Sequence, residues 1–409
     1  MAHKGTNLEQ AKAHNLRSVL SEIRTGDSLS RADIAKRTGL TRQTISNLVD
    51  DLLLVSLIKE GPLRKNGAGK PSRILEFCSN GAFSIGLRVE HHHIGITLCD
   101  ISGNIVHNTL KRIKFETEDE LFNLLEPLCL DLIRTTQTNI TRVIGIGLIM
   151  AEFDDRNEIS RSLAVINPQN IAKRLYEELH LPVMLETAAA AAALAEFIQG
   201  CARNFNHFIY LFVGQEITAG LMVDGKIYRG RSARAGSIGH LVVNVNGPIC
   251  TCGNPGCLNG YASLHALAKH LQKEVHLPAP YGNVFENYEM NDPRILNWLN
   301  NNAEYLRIGI NSLENLYDPE TIILGGDAPE WFLEAIIRHL RPFMRSVSEK
   351  GERDVPRLIK SPTAEQIVQK GAATLPVFAA LGVENPSYQA GECYGDPYQK
   401  LSELINNRP

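Results

Sequence analysis

The sequence predicts an α/β protein in which a winged helix-turn-helix precedes a larger body of two α/β lobes. Three observations support this fold class: helix signals around a short glycine turn near the N-terminus, a hairpin pattern that occurs twice later in the chain, and a composition with 44% hydrophobic and 21% charged residues. At 409 residues the chain is too long for one ordinary domain. The predicted units are 1–78 for the winged helix-turn-helix, 79–190 and 191–384 for the lobes, and 385–409 for a polar tail.

The first unit differs from the rest of the chain in the sign of its net charge. Residues 1–76 contain 13 Lys and Arg against 8 Asp and Glu, a net charge of +5, which leaves −8 for the remainder of the chain. A basic module ahead of an acidic body favours a nucleic-acid-binding unit, with scattered charge as the alternative. No apolar run reaches about 18 residues and no signal-peptide core is visible, so we expect a cytoplasmic protein without a membrane partner.

The basic module begins with two predicted helices. Ser30 and Asp33 form a capping box for a short second helix, which Gly39 ends in the left-handed conformation. A first helix over residues 8–24 is predicted from apolar residues at helical spacing. These residues are Leu16, Val19, Leu20 and Ile23.

A third helix carries the candidate DNA-reading face. Thr41 can cap this helix, and the side opposite its apolar stripe is centred on Gln43 and Asn47. The apolar stripe consists of Ile45, Leu48, Val49 and Leu52, and the polar pair is flanked by Arg42, Thr44 and Ser46. Amides, hydroxyls and a guanidinium can read base edges or hold phosphates. A merely solvated face is the alternative, but the Glu/Lys pairs usual on such faces are missing here.

Residues 61–73 form a basic, glycine-rich stretch between strand-like apolar residues. This pattern predicts the β-hairpin wing of a winged helix, with Lys70 and Arg73 near DNA phosphates. A plain interdomain linker is the alternative. Both interpretations place the domain boundary near residue 78.

The body contains one structural pattern twice. Residues 83–98 alternate as a strand and turn at 100–104, and a second strand over 208–213 precedes a hairpin that turns at Asp224-Gly225. Helices are predicted over 117–136 and 262–274. A hairpin unit used twice with interleaved helices predicts a duplicated α/β architecture with a cleft between the lobes.

The sharpest local motif is one histidine followed by three closely spaced cysteines. His240, Cys250, Cys252 and Cys257 offer one imidazole and three thiolates, a complete tetrahedral set for a structural Zn²⁺. Glycines and Pro255 allow the chain to fold tightly around a metal. Three buried or redox-active thiols are the alternative.

These motifs together resemble the ROK family of repressors, open reading frames and kinases, over residues 8–380. The resemblance rests on Ala235–His240, the run Cys250–Cys257, Asn315–Pro319 and Ile322–Gly326. It implies an actin-like, ribonuclease H-like body of the sugar-kinase type, zinc in the second lobe, and homodimers or homotetramers. An N-terminal winged helix implies the repressor branch, which acts on DNA in the bacterial nucleoid.

The chain departs from the kinases of that family at three elements of phosphoryl transfer. The run Thr187–Ala190 has Ala188 where the resemblance implies the catalytic Asp, and alanine cannot accept a proton. Gly214-Gln215-Glu216 replaces a Gly-Thr-Gly phosphate motif. The first phosphate loop reads Arg88, Glu90, His91 and His92, whose bulk prevents a backbone phosphate cradle. We therefore expect no kinase activity and no catalytic residues.

The sugar positions implied by the family have also changed. Ile149-Met150 replaces a Pro-Gly, and the remaining positions read Ala164, Thr187, Ala188, Ser237 and Asn259. Each lost hydrogen bond removes about 0.5–1.5 kcal/mol of net interaction, so we expect negligible affinity for ordinary family sugars. A pocket for a different ligand, lined by Thr187, Ser237, Asn259 and His240, stays open as an alternative.

The sequence thus favours a transcriptional regulator, a repressor of a double-stranded DNA operator. Two alternatives concern its control: release by an unusual sugar or another small molecule, or docking of a protein partner. A sugar kinase with an added domain is the competing enzyme class, and Ala188 argues against it.

Overall fold

The N-terminal unit, here called the reader, is a winged helix-turn-helix, as the sequence predicts. It comprises α1 (Leu8–Arg24), α2 (Arg31–Thr38), α3 (Arg42–Leu54), β1 (Ile58–Arg64) and β2 (Ser72–Phe77). This computed structural model describes residues 8–24, 28–64, 71–90, 93–150, 166–271, 282–285, 288–289, 291–347, 353–362, 364–382 and 393–406.

Local capping sets the bounds of the reader helices. Ser30 and Asp33 form the predicted capping box, and Gly39 ends α2 at φ 71°. The Thr41 side chain accepts a hydrogen bond from the Thr44 amide at the start of α3. β1 and β2 pair antiparallel with Ile58 opposite Phe77, which confirms the wing hairpin. The tip of the wing, including Lys70, lies outside the described residues.

The first lobe is built on a six-stranded sheet in the order β13-β7-β6-β3-β4-β5. Its elements in this part of the chain are β3 (Phe83–Glu90), β4 (His93–Asp100), β5 (Ile105–Arg112), α4 (Glu118–Thr135), β6 (Val143–Met150), α5 (Pro168–Leu179) and β7 (Val183–Glu186). The single strand predicted over 83–98 is two antiparallel strands, β3 and β4. Both are buried on both faces, so their apolar pattern alone does not show where one ends.

The second lobe repeats this strand arrangement in the order β10-β9-β8-β11-β12. Its elements are α6 (Ala188–Gln199), β8 (Phe208–Val213), β9 (Ile217–Val223), β10 (Lys226–Ile227), α7 (Asn259–Ala262), α8 (Leu264–His270), α9 (Gly282–Phe285), α10 (Pro293–Tyr317), β11 (Thr321–Gly326), α11 (Glu330–His339) and β12 (Leu358–Lys360). In both lobes an antiparallel three-stranded meander continues into parallel strands. The predicted duplication is confirmed.

Two packed helices, α6 and α12 (Ala364–Leu381), connect the lobes. The sequence-based boundary at residue 190 is wrong in this respect, because it cuts through α6. Small residues permit the close packing of these helices on the sheets. A Cβ at Gly147 would lie 1.9 Å from the Ala372 carbonyl oxygen, and one at Gly220 would lie 2.2 Å from the Ala189 carbonyl oxygen.

The C-terminal segment is part of the fold, which corrects the expectation of a polar tail. β13 (Cys393–Tyr394) pairs with β7 at the sheet edge, and α13 (Pro397–Asn406) buries Leu401 and Ile405. These two side chains join an apolar cluster that the reader and the first lobe share. The amphipathic pattern of α13 spans only ten residues, which is too short to stand out clearly in the sequence.

Candidate functional site

The polar face of α3 is exposed, as the sequence predicts. Its apolar stripe is buried in the reader core, whereas Gln43 and Asn47 face solvent on the opposite side. The Gln43 Nε2 donates a hydrogen bond to Asn47 Oδ1 at 2.9 Å. This contact leaves the Asn47 amide nitrogen and the Gln43 carbonyl oxygen for an outside partner. Arg42 is exposed beside the pair, while Thr44 and Ser46 are half-buried.

Ion pairs fix the base of the wing to the helices. Arg73 lies 3.4 Å from Glu60 and also donates to the Gly61 carbonyl. Arg31 links Glu60, at 3.5 Å, to Asp50 on α3, at 2.8 Å. Sequence reasoning assigned Arg73 to phosphates and did not anticipate Glu60, which partly neutralises it in the free protein. These pairs are exposed and contribute little stability individually.

The four predicted metal ligands come together. The ligand atoms of His240, Cys250, Cys252 and Cys257 all lie within 4.8 Å of one another. The His240 Nδ1 is 3.6 Å from Cys250 Sγ, and Cys252 Sγ is 3.5 Å from Cys257 Sγ. Gly253, at φ 94°, forms the tight turn that returns Cys257 to the other ligands. Three sulfurs and one imidazole nitrogen are the donor set of a structural zinc site.

Thiol acidity at this cluster differs between its members. A backbone hydrogen bond from Asn254 lowers the pKa of Cys252 to about 7, which favours the metal-binding thiolate. Burial, followed by hydrogen bonding to neighbouring thiols, raises the pKa of Cys257 to about 12. A bound cation reverses this second effect, because coordination deprotonates a thiol.

Glu216, in the segment 214–216, lies close to this cluster. Its Oε2 is 3.9 Å from Nε2 of His240, while Nδ1 of the same ring is the nitrogen near Cys250. This distance is too long for a hydrogen bond, so the carboxylate acts on His240 through its charge alone. Sequence reasoning treated Glu216 only as a lost phosphate contact. Nothing in the local spacing indicated that it returns to His240.

The cleft between the lobes contains a buried ionic cluster, formed by Arg88, Glu90 and Asp327. Arg88 extends from the end of β3 in the first lobe and donates to Asp327 Oδ1 at 2.7 Å in the second. It also pairs with Glu90, and the side chains of Arg88 and Asp327 are only 10% and 8% exposed. The positive charge of Arg88 thus occupies the space between the lobes, and Asp327, its partner, lies beside Gly214.

Two carboxylates share the one guanidinium in this cluster. Burial raises the pKa of Glu90 to about 7, and the Asp327 charge adds to this effect while Arg88 opposes it. Asp327 was missed by sequence reasoning, although it follows the Gly325-Gly326 turn. The predicted neighbours His91 and His92 lie outside the described residues.

The polar side chains of the candidate ligand pocket form hydrogen bonds within the protein. Thr187 caps α6 by accepting from the Ala190 amide at 3.2 Å, Ser237 donates to the Arg234 carbonyl at 2.9 Å, and Asn259 Oδ1 accepts from the Ile217 amide at 2.8 Å. Ala188 begins α6, and Ala164 lies outside the described residues. Each of these three polar side chains is thus held by a bond within the protein, which leaves the Thr187 hydroxyl hydrogen and the Asn259 amide nitrogen for another partner.

A second buried ion pair stands next to Thr187. Arg229 Nε donates to Glu186 Oε2 at 2.8 Å, and the Glu186 side chain is only 4% exposed. The other oxygen of Glu186 accepts from the Thr187 amide. Sequence reasoning missed this pair because its members are separated by a whole hairpin unit.

Among the described residues, no helix is both long and apolar enough to cross a membrane.

Comparison with known proteins identifies one family and several repressors that this chain resembles. The model of the ROK family matches residues 84–375. The xylose repressor of Bacillus subtilis (strain 168) is 30% identical over 320 residues, covering 76% of this chain and 82% of the relative. The DNA-binding transcriptional dual regulator NagC of Escherichia coli (strain K12) is 25% identical over 268 residues, covering 65% of this chain and 66% of the relative.

Solved structures extend the likeness to the whole fold. A ROK family transcriptional regulator, described as a homologue of the E. coli MLC protein, superposes with a TM-score of 0.72 at 23% identity, covering 97% of this chain and 100% of that one. The ROK hexokinase from Thermus thermophilus covers 71% of this chain and 97% of its own, with a TM-score of 0.53 at 26% identity. The hexokinase therefore matches a smaller share of this chain than the regulator does.

Proposed function

Because this chain belongs to the ROK family, we propose that it is a DNA-binding transcriptional repressor whose body has lost phosphoryl transfer. The observation that carries the proposal is the exposed Gln43–Asn47 pair on the third helix of a winged helix-turn-helix. Such a helix enters the major groove, where amide side chains recognise adenine edges. The relatives named xylose repressor and NagC support the same function.

Assembly and location follow from this proposal. A palindromic operator requires two readers, so we propose a homodimer or homotetramer that binds double-stranded DNA in the bacterial cytoplasm. The cluster of His240, Cys250, Cys252 and Cys257 is proposed to hold one structural Zn²⁺ per chain. That ion would tie together the loop after β10 and supply no chemistry to a substrate.

Replacing the amide pair tests the DNA-binding proposal. Gln43→Ala and Asn47→Ala should relax base preference by about 1–3 kcal/mol at the contacted position, because each removes groups that read a base edge. Lys70→Ala should instead weaken binding at all sequences and reduce the salt slope by about 1. Gel-shift titrations at two salt concentrations measure this, on a duplex selected by the wild type from random DNA.

The chain offers a matched control for this experiment. Asn297 and Asn301 form a similar exposed i, i+4 amide pair on α10 of the body. Asn297→Ala should leave DNA binding unchanged. If the Gln43 and Asn47 variants keep the wild-type base preference, α3 is not the recognition helix.

The body is expected neither to phosphorylate sugars nor to respond to common hexoses. Arg88 and Glu90 fill the interlobe space, Ala188 cannot act as a base, and internal hydrogen bonds hold the Thr187 and Asn259 side chains in place. Calorimetry and a coupled ATPase assay with glucose, N-acetylglucosamine, N-acetylmannosamine, allose and xylose should be flat, with the Thermus thermophilus hexokinase as positive control. Xylose is the decisive sugar because of the named relatives.

One result would favour the second candidate, a repressor released by a small ligand. A sugar that binds below about 1 mM and releases DNA would show a differential affinity for two states of the protein. Thr187, Ser237, Asn259 and His240 would then line a rebuilt pocket. If every sugar is inert, control by a docked protein partner becomes the leading alternative.

A further inference from the structure

The guanidinium of Arg142 lies at the junction between the reader and the body. This residue belongs to none of the motifs described above. Arg142 belongs to the first lobe and lies at the end of a short 3-10 turn before β6. It donates to the Gly81 carbonyl at 2.7 Å and to the Val55 carbonyl at 3.2 Å. A longer contact, at 3.5 Å, reaches the Asn80 carbonyl. One side chain of the body thus binds the end of α3 and the connection to β3.

The end of α3 has no basic side chain of its own. The carbonyl end of a helix carries partial negative charge, which a nearby cation stabilises even where local amides bond the last carbonyls, as they do here. The last turn of α3 contains no basic residue, whereas the last turn of α2 contains Lys36 and Arg37. Val55 is the C-cap of α3, and its carbonyl accepts from Arg142. The recognition helix therefore receives its C-terminal cation from the body.

Arg142 is also rigidly attached to the body. The next residue, Val143, is fully buried and pairs with Phe83 in the central sheet. Ile144 enters the apolar cluster that contains Val55 and Leu57 of the reader. At its other end β6 pairs Ile149 with Arg88, a member of the ionic cluster between the lobes. A single buried strand therefore connects the cleft to the group that holds the recognition helix.

We propose that Arg142 is a positioning residue for DNA recognition, which fixes the angle between α3 and the body. This inference rests on the proposed function and adds a residue that helps to determine which half-site spacing the protein binds. Two readers held at fixed angles meet their half-sites at one spacing, because half-site separation reflects the geometry of the assembly. Readers that pivot on their bodies accept several spacings. Arg142 thus contributes to the choice of spacing without contacting DNA.

The experiment uses full-length wild type and Arg142→Gln, whose side chain stays polar but is shorter and uncharged. The probe is a palindromic duplex selected by the wild type from random DNA, remade with the half-sites moved apart by one to five base pairs. We expect the wild type to prefer one spacing by about tenfold or more, and Arg142→Gln to lose most of this preference at unchanged affinity for a single half-site. General destabilisation would not produce that split.

Hydrogen exchange on the free proteins gives a second readout that does not involve DNA. In Arg142→Gln, amides at 53–57 and 78–82 should exchange about tenfold faster while those of α2 are unchanged. Arg142→Lys, with charge but no planar fork, should recover part of the spacing preference. Arg134→Gln on α4, an exposed arginine that pairs with Asp131 one turn away, is the control and should match the wild type.

The possible results separate the two claims. A wild type that selects no duplex contradicts the proposed function. A wild type that selects a duplex but tolerates all spacings, or an Arg142→Gln variant with unchanged spacing preference and unchanged exchange at the junction, contradicts the role of Arg142.

Discussion

Arg88→Ala is expected to lower the free energy of unfolding by about 3–5 kcal/mol, because it leaves two buried carboxylates without their cation. Arg88 connects β3 of the first lobe to Asp327 of the second, and both side chains are nearly fully buried. Urea denaturation of the full-length protein measures the loss. Asp327→Ala should be less damaging, since Glu90 still pairs with Arg88.

Glu90→Gln is the matched control, and its effect should have the opposite sign at high pH. The folded-state pKa of Glu90 is raised to about 7, so the folded protein retains a proton that the unfolded chain has already lost. Stability attributable to Glu90 is therefore full below the ordinary carboxyl range and declines as the pH rises toward 7. Glu90→Gln should remove this decline, making the variant at least as stable as the wild type at pH 8.

A double-mutant cycle isolates the interlobe pair. If Arg88→Ala and Asp327→Ala act through the same contact, their combined effect will be smaller than the sum of the two. Strictly additive effects, or an Arg88→Ala variant as stable as Glu90→Gln, would contradict an ionic link between the lobes.

Cys257→Ser is expected to abolish the bound zinc, from about one ion per chain to near zero, because a four-ligand structural site needs its complete donor set. Cys257 is the buried member of the cluster, and its backbone pairs with Val242. Metal analysis of the purified proteins measures the change. We further expect weaker DNA binding, through damage to the assembly, since none of the four ligands lies in the reader.

Cys393→Ser provides the control for this second prediction. Cys393 is half-buried, lies on β13 and donates to the Gly395 carbonyl, a bond that serine can also make. It should retain full zinc. Equal metal content in Cys257→Ser and the wild type would exclude the cluster as the zinc site and favour the alternative of redox-active thiols.

Features that depend on neighbouring residues could be predicted from the sequence, whereas contacts between distant segments could not. Elements defined by neighbouring residues were predictable: α1 over residues 8–24, the capping box of Ser30 and Asp33, and the stripe that leaves Gln43 and Asn47 exposed. Each depends on helical periodicity or on a cap within four residues. The close spacing of the three cysteines after His240 was visible because it, too, is local.

The tertiary structure alone decided how distant segments combine. Arg88 meets Asp327 across 239 positions, Arg142 binds the Val55 carbonyl across 87, and α13 buries Leu401 against the reader. No local period encodes such contacts, because they depend on how sheets and helices pack after they form. The sequence by itself thus determined a winged helix-turn-helix with an exposed polar face on its third helix and a close spacing of one histidine and three cysteines. Packing determined that Arg88 bridges the lobes and that Arg142 of the body binds the end of α3.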